Sequence, residues 1–231
     1  NRQCINYDLN VMNVGKILEK KIILEKNLQD PLFINSGLNA MSKFKITKFK
    51  NSKIFIKSSK SMDVKFDELN NQLNFKPTFQ EDWALITNSD LTDIKINFDS
   101  KLKLPKQIKI ISRINEFGLT GCITIHKSKF KNTSIEANGK NTKCEDVINL
   151  VNSDGKINNI FIQNGSADGL DIDFSQLEID VLNVAGSPND CADFSKGVYK
   201  VKLVNMQECG DKAISIGEKS IFQSDNIKIY S

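Results

Sequence analysis

Histidine is nearly missing from this chain, and so are the residues that punctuate loops. One histidine (His126), one tryptophan, four prolines and twelve glycines are spread over 231 residues. So few prolines and glycines exclude a collagen-like or linker-like architecture. A lone histidine leaves any zinc site to thiolates, and no Cys-x-x-Cys or Cys/His pair stands at zinc spacing. No apolar run approaches the ~20 residues of a membrane-spanning helix, so membrane insertion is not expected. The aromatics lie among strand-like apolar residues and no reader motif occurs, which argues against a nucleic-acid partner. No export leader is recognisable at Asn1, and the strand pattern still runs at Tyr230-Ser231. The chain is therefore expected to be a mature or trimmed form belonging to a larger chain or assembly.

What is present is ordinary for a folded protein: 39% hydrophobic and 26% charged residues, so wholesale disorder is not expected. The net charge of +4 hides an uneven distribution. Met41 to Lys65 holds eight lysines and one acid, Asp63, whereas Cys144 to Asp193 holds ten acids and one base, Lys156. Each run is either a solvated face or a docking surface: a basic end for a polyanion, an acidic face for a cation, sugar or protein.

The strongest signal is an internal repeat. Ile148, Leu170, Ala192 and Ile214 share a column at a spacing of 22, and so do Leu150, Ile172, Phe194 and Ile216. Between them lie Asn149, Asp171, Asp193 and Ser215. The pattern apolar, polar, apolar is a strand with one face buried. A second strand follows in each block, with columns Ile157/Ile179/Val201, Ile160/Leu182/Val204 and Ile162/Val184/Met206. Ile227 and Ile229 come one residue late, which a single insertion in a turn explains. Turn residues separate the blocks at Asn164-Gly165, Gly186-Ser187-Pro188-Asn189 and Cys209-Gly210. One block cannot bury its own apolar face, but stacked blocks can. The leucine-rich-repeat consensus is absent, and no block has room for a helix of 10–12 residues.

The expected fold is therefore all-β: a single-stranded right-handed parallel β-helix with coils of ~22 residues, eight to ten of them by division of the chain length. Residues 41–231 are expected to form one continuous β-helix domain, and residues 1–40 an N-terminal cap with the first irregular coil. The stretch 11–28 suits either a capping helix or a strand. Alternating pairs at 44/46, 54/56, 64/66, 73/75, 94/96 and 102/104 are expected to be shorter, degenerate coils.

Equivalent positions in stacked coils lie ~4.8 Å apart, within the Cα range of a disulfide. Cys122 with Cys144 and Cys191 with Cys209 are thus feasible bonds, and free thiols filling turn corners are the alternative. Asp171, Asp173 and Asp193 are expected to project outward on adjacent strands. A block-leading acid recurs at Asp146, Asp168, Asp190 and Asp211. Such residues cap backbone NH groups in solenoid turns. Paired carboxylates also serve glycoside hydrolysis or a Ca²⁺ site.

Three segments carry a family resemblance: Ser166-Ala-Asp168-Gly169, Asn189-Asp190-Cys191 and Cys209-Gly-Asp211-Lys-Ala-Ile-Ser-Ile-Gly217. They resemble the motif series of pectin-degrading glycoside hydrolases, right-handed β-helices of the pectate-lyase-like class. That series runs Asn-Thr-Asp-Gly, Gly-Asp-Asp-Cys, then Gly-His-Gly with Ser-Ile-Gly following. The resemblance spans about residues 164–220 and implies catalytic roles for Asp168 and Asp190. The family's proton donor falls at Asn189 and its histidine at Asp211, and an amide cannot supply that proton. The segments Cys144–Asn149, Asp171–Ser175 and Gly210–Ser220 are similar to β-helix repeat modules of bacterial surface or spore-coat-type proteins.

The functional expectation is a non-catalytic extracellular or envelope module, structural or binding a carbohydrate or partner protein. The alternative is a polysaccharide-acting hydrolase, lyase or epimerase using Asp168, Asp171, Asp173, Asp190 and Asp193, with Lys212 the nearest candidate base for a lyase. No cofactor is expected, with Ca²⁺ held by Asp171, Asp173 and Asp193 as the alternative.

Overall fold

A computed structural model describes residues 44–49, 53–103, 114–115 and 117–230, and the structural statements below concern these. The expectations for residues 1–40, including the helix or strand at 11–28, lie outside them.

Seventeen strands and no helix make up the described chain. In order they are β1 (Phe44–Lys48), β2 (Phe55–Ser59), β3 (Asp63–Asp67), β4 (Gln72–Lys76), β5 (Ala84–Thr87), β6 (Asp90–Thr92), β7 (Lys95–Asp99), β8 (Gly121–His126) and β9 (Lys129–Asn138). Then follow β10 (Asp146–Val151), β11 (Asp154–Gln163), β12 (Asp168–Asp173), β13 (Gln176–Ser187), β14 (Ala192–Ser195), β15 (Val198–Cys209), β16 (Ile214–Ile216) and β17 (Ile221–Tyr230). They form two facing sheets, ordered β1-β2-β5-β8-β10-β12-β14-β16 and β17-β15-β13-β11-β9-β7-β4-β3, with β6 joining the second by pairing with β9. Each coil gives one strand to the first sheet and then one to the second, so the molecule is a parallel β-solenoid.

The register matches the columns expected from the sequence. Ile148 sits on Leu170, Leu170 on Ala192 and Ala192 on Ile214. In the second sheet Ile160 sits on Leu182 and Leu182 on Val204. The late last block is also explained. Phe194 pairs with Ile216, 22 residues on, whereas Val198 pairs with Ile221, 23 residues on. The extra residue therefore lies in the turn at 217–220. The inward ladders merge into one core that runs from Ile54 to Met206.

Two expectations need correction. The coils number about six, not eight to ten, because spacing is not uniform. Ala84 pairs with Ile123, 39 residues later, so one coil carries a long excursion. And the first strands are coils only in part: β4 stacks in parallel on β7, with Leu73 on Ile96 and Phe75 on Phe98, whereas β1 pairs with β2, β2 with β5, and β3 with β4, all antiparallel, and the pair 102/104 lies partly outside the described residues. For β3 and β4 the reason is connection length. A parallel crossover needs a dozen or more residues, whereas β3 and β4 are separated only by 68–71. There Asp67 accepts from the amides of Leu69 and Asn70, and Asn71 takes a positive φ of 48°, so a hairpin forms.

At the turn from first to second sheet, one residue per coil is left-handed: Asn88, Lys127, Asn152, Phe174 and Lys196, all with φ near +50°. The next residue is a buried serine in four coils: Ser89, Ser128, Ser153 and Ser175. Each hydroxyl donates to the carbonyl two residues back in its own coil. Each also accepts a backbone NH from the preceding coil: Phe55 to Ser89, Ser89 to Ser128, Ser128 to Ser153, Ser153 to Ser175. The ladder stops at Gly197, where a Cβ would lie 2.2 Å from the hydroxyl of Tyr199. That hydroxyl donates instead to the carbonyl of Ser195, at 2.7 Å.

Candidate functional site

Period-2 alternation sends every second residue of the first sheet outward. One outer column is Thr124, Asn149, Asp171, Asp193 and Ser215. A second is His126, Val151, Asp173 and Ser195. Asp171, Asp173 and Asp193 thus share the outer wall of the first sheet, as the repeat implies. The amide of Asn149 donates to the Asp171 carboxylate at 2.9 Å, continuing the ladder across coils. Burial first, then the charges of Asp190, Asp173 and Asp168, hold the Asp193 carboxyl above its ordinary range. One Asp193 oxygen, Oδ1, is buried without a hydrogen-bond partner.

The corner ahead of these strands carries the block-leading acids. Asp146 pairs in register with Asp168, and Asp190 and Lys212 follow at the same interval. Asp211, expected in this column, is displaced by one, and Lys212 takes its place. Asp168 accepts the backbone NH of Asp190 at 2.8 Å and the side-chain amide of Asn189 at 2.6 Å. Asp190 accepts the backbone NH of Lys212 at 3.0 Å and its ammonium at 3.1 Å. Each carboxylate therefore caps the amide one coil on, which is the capping role that Asp plays in turns. Lys212 also reaches Asp211 at 2.8 Å, and Asp211 and then Asp190 hold its ammonium above the usual lysine range.

Asp146 behaves differently. It is 1% exposed, its Oδ2 has no hydrogen-bond partner, and burial pushes its carboxyl up to about 8. A hydrogen bond with Thr120 opposes that shift, and the charges of Asp168, Glu145 and Asp173 add to it. A second buried titratable group, His126, lies in the outer wall, 3.4 Å from the Thr87 hydroxyl. Burial, with Lys127 beside it, lowers its imidazole to about 4.

Beside the site lie two cross-links. Cys122 bonds Cys144 and Cys191 bonds Cys209, with Cα separations of 5.2 and 5.3 Å. Neither joins equivalent positions of stacked coils. Cys122 follows Gly121, which pairs with Asp146, so Cys144 falls short of a full turn. Cys209 lies at the far end of the coil that Cys191 begins. Each bond clasps the start of a coil to its end across the corner.

The linear acidic run does not fold into one acidic face. Glu178 and Asp180 point off the second sheet, where Asp180 meets Lys156 and Lys202 at 2.9 and 2.6 Å and Glu178 meets Lys200 at 3.5 Å. Nor do Asp171, Asp173 and Asp193 form a donor set for calcium. Among the described residues no three His, Cys, Asp or Glu side chains are placed to hold a metal ion. The sequence reading missed the serine ladder, Asp146 as the buried orphan, and the Asp190–Lys212 pair. The ladder leaves a trace in Asn88-Ser89, Lys127-Ser128, Asn152-Ser153 and Phe174-Ser175 at coil spacing.

Fold and site together define a parallel β-solenoid with coils clasped by disulfides and a polar, carboxylate-rich outer wall. Compared with known proteins, the chain matches no family model, no curated protein and no solved structure.

Proposed function

We propose that this chain is a non-catalytic β-solenoid module that acts outside the cytoplasm, in the envelope or beyond it, and presents the outer wall of its first sheet to a glycan or a partner protein. The observation that carries this reading is the occupation of Asp168 and Asp190. These are the positions to which the resemblance to pectin-degrading hydrolases assigns catalysis. Their carboxylates are spent on backbone amides of the next coil and on Asn189 and Lys212. A carboxylate that caps the fold is poorly placed to exchange a proton with substrate. Lys212, clamped between two acids, stays protonated and is no lyase base. Two disulfides favour an oxidising compartment.

A second reading, a polysaccharide-acting enzyme, is favoured by one observation: burial, then the charges of Asp190, Asp173 and Asp168, hold the Asp193 carboxyl above its ordinary range, the direction a general acid needs. Incubation with uronate and neutral glycans, with and without calcium, separates the two. The module retains glycan, or a partner, and releases no reducing ends and no unsaturated products. Turnover abolished by Asp190→Ala or Asp193→Asn would overturn the first reading.

A further inference from the structure

Asparagine is abundant in this chain, yet only two tripeptides run Asn-x-Ser or Asn-x-Thr: Asn132-Thr133-Ser134 and Asn164-Gly165-Ser166. That tripeptide is the acceptor for N-linked glycosylation, and its asparagine has to stand on the surface of an exported protein. In so asparagine-rich a sequence the pattern alone decides nothing. What singles these two out is where the fold puts them.

Both asparagines are exposed, and both take left-handed backbone, with φ of 52° and 58°. Asn132 lies in β9 at its register shift against β11. Phe130 pairs with Gly155 and Thr133 with Ile157, so two residues of β9 stand against one of β11 and the chain bulges there. Asn164 is the first residue after β11, in the turn towards β12. The amide of Asn132 donates to Asp93 at 3.0 Å and that of Asn164 to Asn138 at 3.1 Å, both at the surface. A sugar on Nδ2 replaces one of its two hydrogens and leaves the other for this bond. Neither side chain enters the core or the serine ladder. Both flank the second sheet, whereas Asn149, the asparagine of the first sheet's outer wall, is buried and followed by Leu150-Val151. The near-match Asn189-Asp190-Cys191 has no hydroxyl, and its cysteine is the buried end of a clasp.

The two disulfides favour the oxidising compartments through which exported chains pass. The co-reactant is an oligosaccharide carried on a lipid pyrophosphate. The Asn Nδ2 attacks the anomeric carbon, a C–N bond replaces the C–O bond, the lipid pyrophosphate leaves, and the amide proton passes to a base of the transferase. In the folded chain the Ser166 hydroxyl donates to the carbonyl of Cys144 at 2.6 Å, so transfer to Asn164 precedes closure of that coil.

We propose that Asn132 and Asn164 are acceptor sites for N-linked oligosaccharide, which shields the second sheet and leaves the outer wall of the first sheet open. This rests on the export assumed in the proposed function and on nothing else in that reading.

Peptide mapping of the chain isolated from the cells that make it, before and after peptide-N-glycosidase, tests the assignment. The expected result is a glycan on each residue, Asn132 and Asn164 converted to aspartate by the glycosidase, and both disulfides present in the glycosylated chain. Asn132→Gln and Asn164→Gln, made in the same cells, are each expected to remove one glycan. Bare asparagine at both positions in a chain that carries both disulfides overturns the proposal and leaves export standing. Bare asparagine at one position overturns that site. Free thiols at Cys122, Cys144, Cys191 and Cys209 overturn export and proposal together. Glycan confined to chains that lack the disulfides also overturns the proposal, because the fold then does not admit the sugar.

Discussion

Ser153 shows how much a single small side chain does in this fold. Its hydroxyl donates to Val151 and accepts the amide of Ser128, and it is buried. Ser153→Ala leaves that amide without a partner, and the expected cost is about 1–3 kcal/mol by urea denaturation. Asp146 makes a second residue-scale prediction. Its carboxyl is raised to about 8 in the folded chain against an ordinary 3.8, so between these values the native state holds a proton that the unfolded chain has released. Stability on this account falls as pH rises from about 4 to about 8. His126 works in the opposite direction. Its imidazole, lowered to about 4 from 6.5, costs stability as pH falls through that window. Above pH 6.5 only the Asp146 effect of the two remains. Thermal melts at pH 6.5 and 8 are expected to show a drop in melting temperature that Asp146→Asn largely removes.

At the scale of the element, the strand and its flanking turn are the unit that repeats, and the disulfides lock two of these units. The Cys191–Cys209 clasp joins residues 18 apart in sequence, and closing a ring of that size is worth about 3 kcal/mol through the unfolded chain. Cys191→Ser with Cys209→Ser is expected to lower stability by ~2–4 kcal/mol in chemical denaturation, and non-reducing peptide mapping is expected to recover both cross-linked pairs. This scale also shows what was legible in the sequence. From β10 to β16 the first sheet keeps one spacing, so Ile148, Leu170, Ala192 and Ile214 announce their own stacking. Before β8 the 39-residue excursion and the antiparallel pairs destroy the period, and alternating apolar pairs look the same in a hairpin as in a coil. The left-handed turn column escaped notice because Asn, Lys and Phe occupy it, and only the first of these advertises that conformation. The capping acids were legible as a recurring Asp. The calcium alternative drew on the same recurrence: Asp171 and Asp193 are stacked neighbours, and the amide of Asn149 engages Asp171.

Across the whole molecule, each coil rests on its neighbours, so stability is a sum of nearest-neighbour contacts that thins towards the last coil. Ile148→Ala, in a fully buried ladder, is expected to cost about 2–5 kcal/mol. Ile216→Ala, half-exposed at the end, is expected to cost less than about 1 kcal/mol. Hydrogen exchange is expected to run fastest in β16 and β17 and slowest in β10 to β13. The two clasps impose a further, mechanical property. Pulled by its ends, an unclasped solenoid peels open one rung at a time and pays out its full length of chain. Here the rungs spanning 122–144 and 191–209 are closed rings, so the rope would stop short at each knot, and a reducing agent would release the remaining slack.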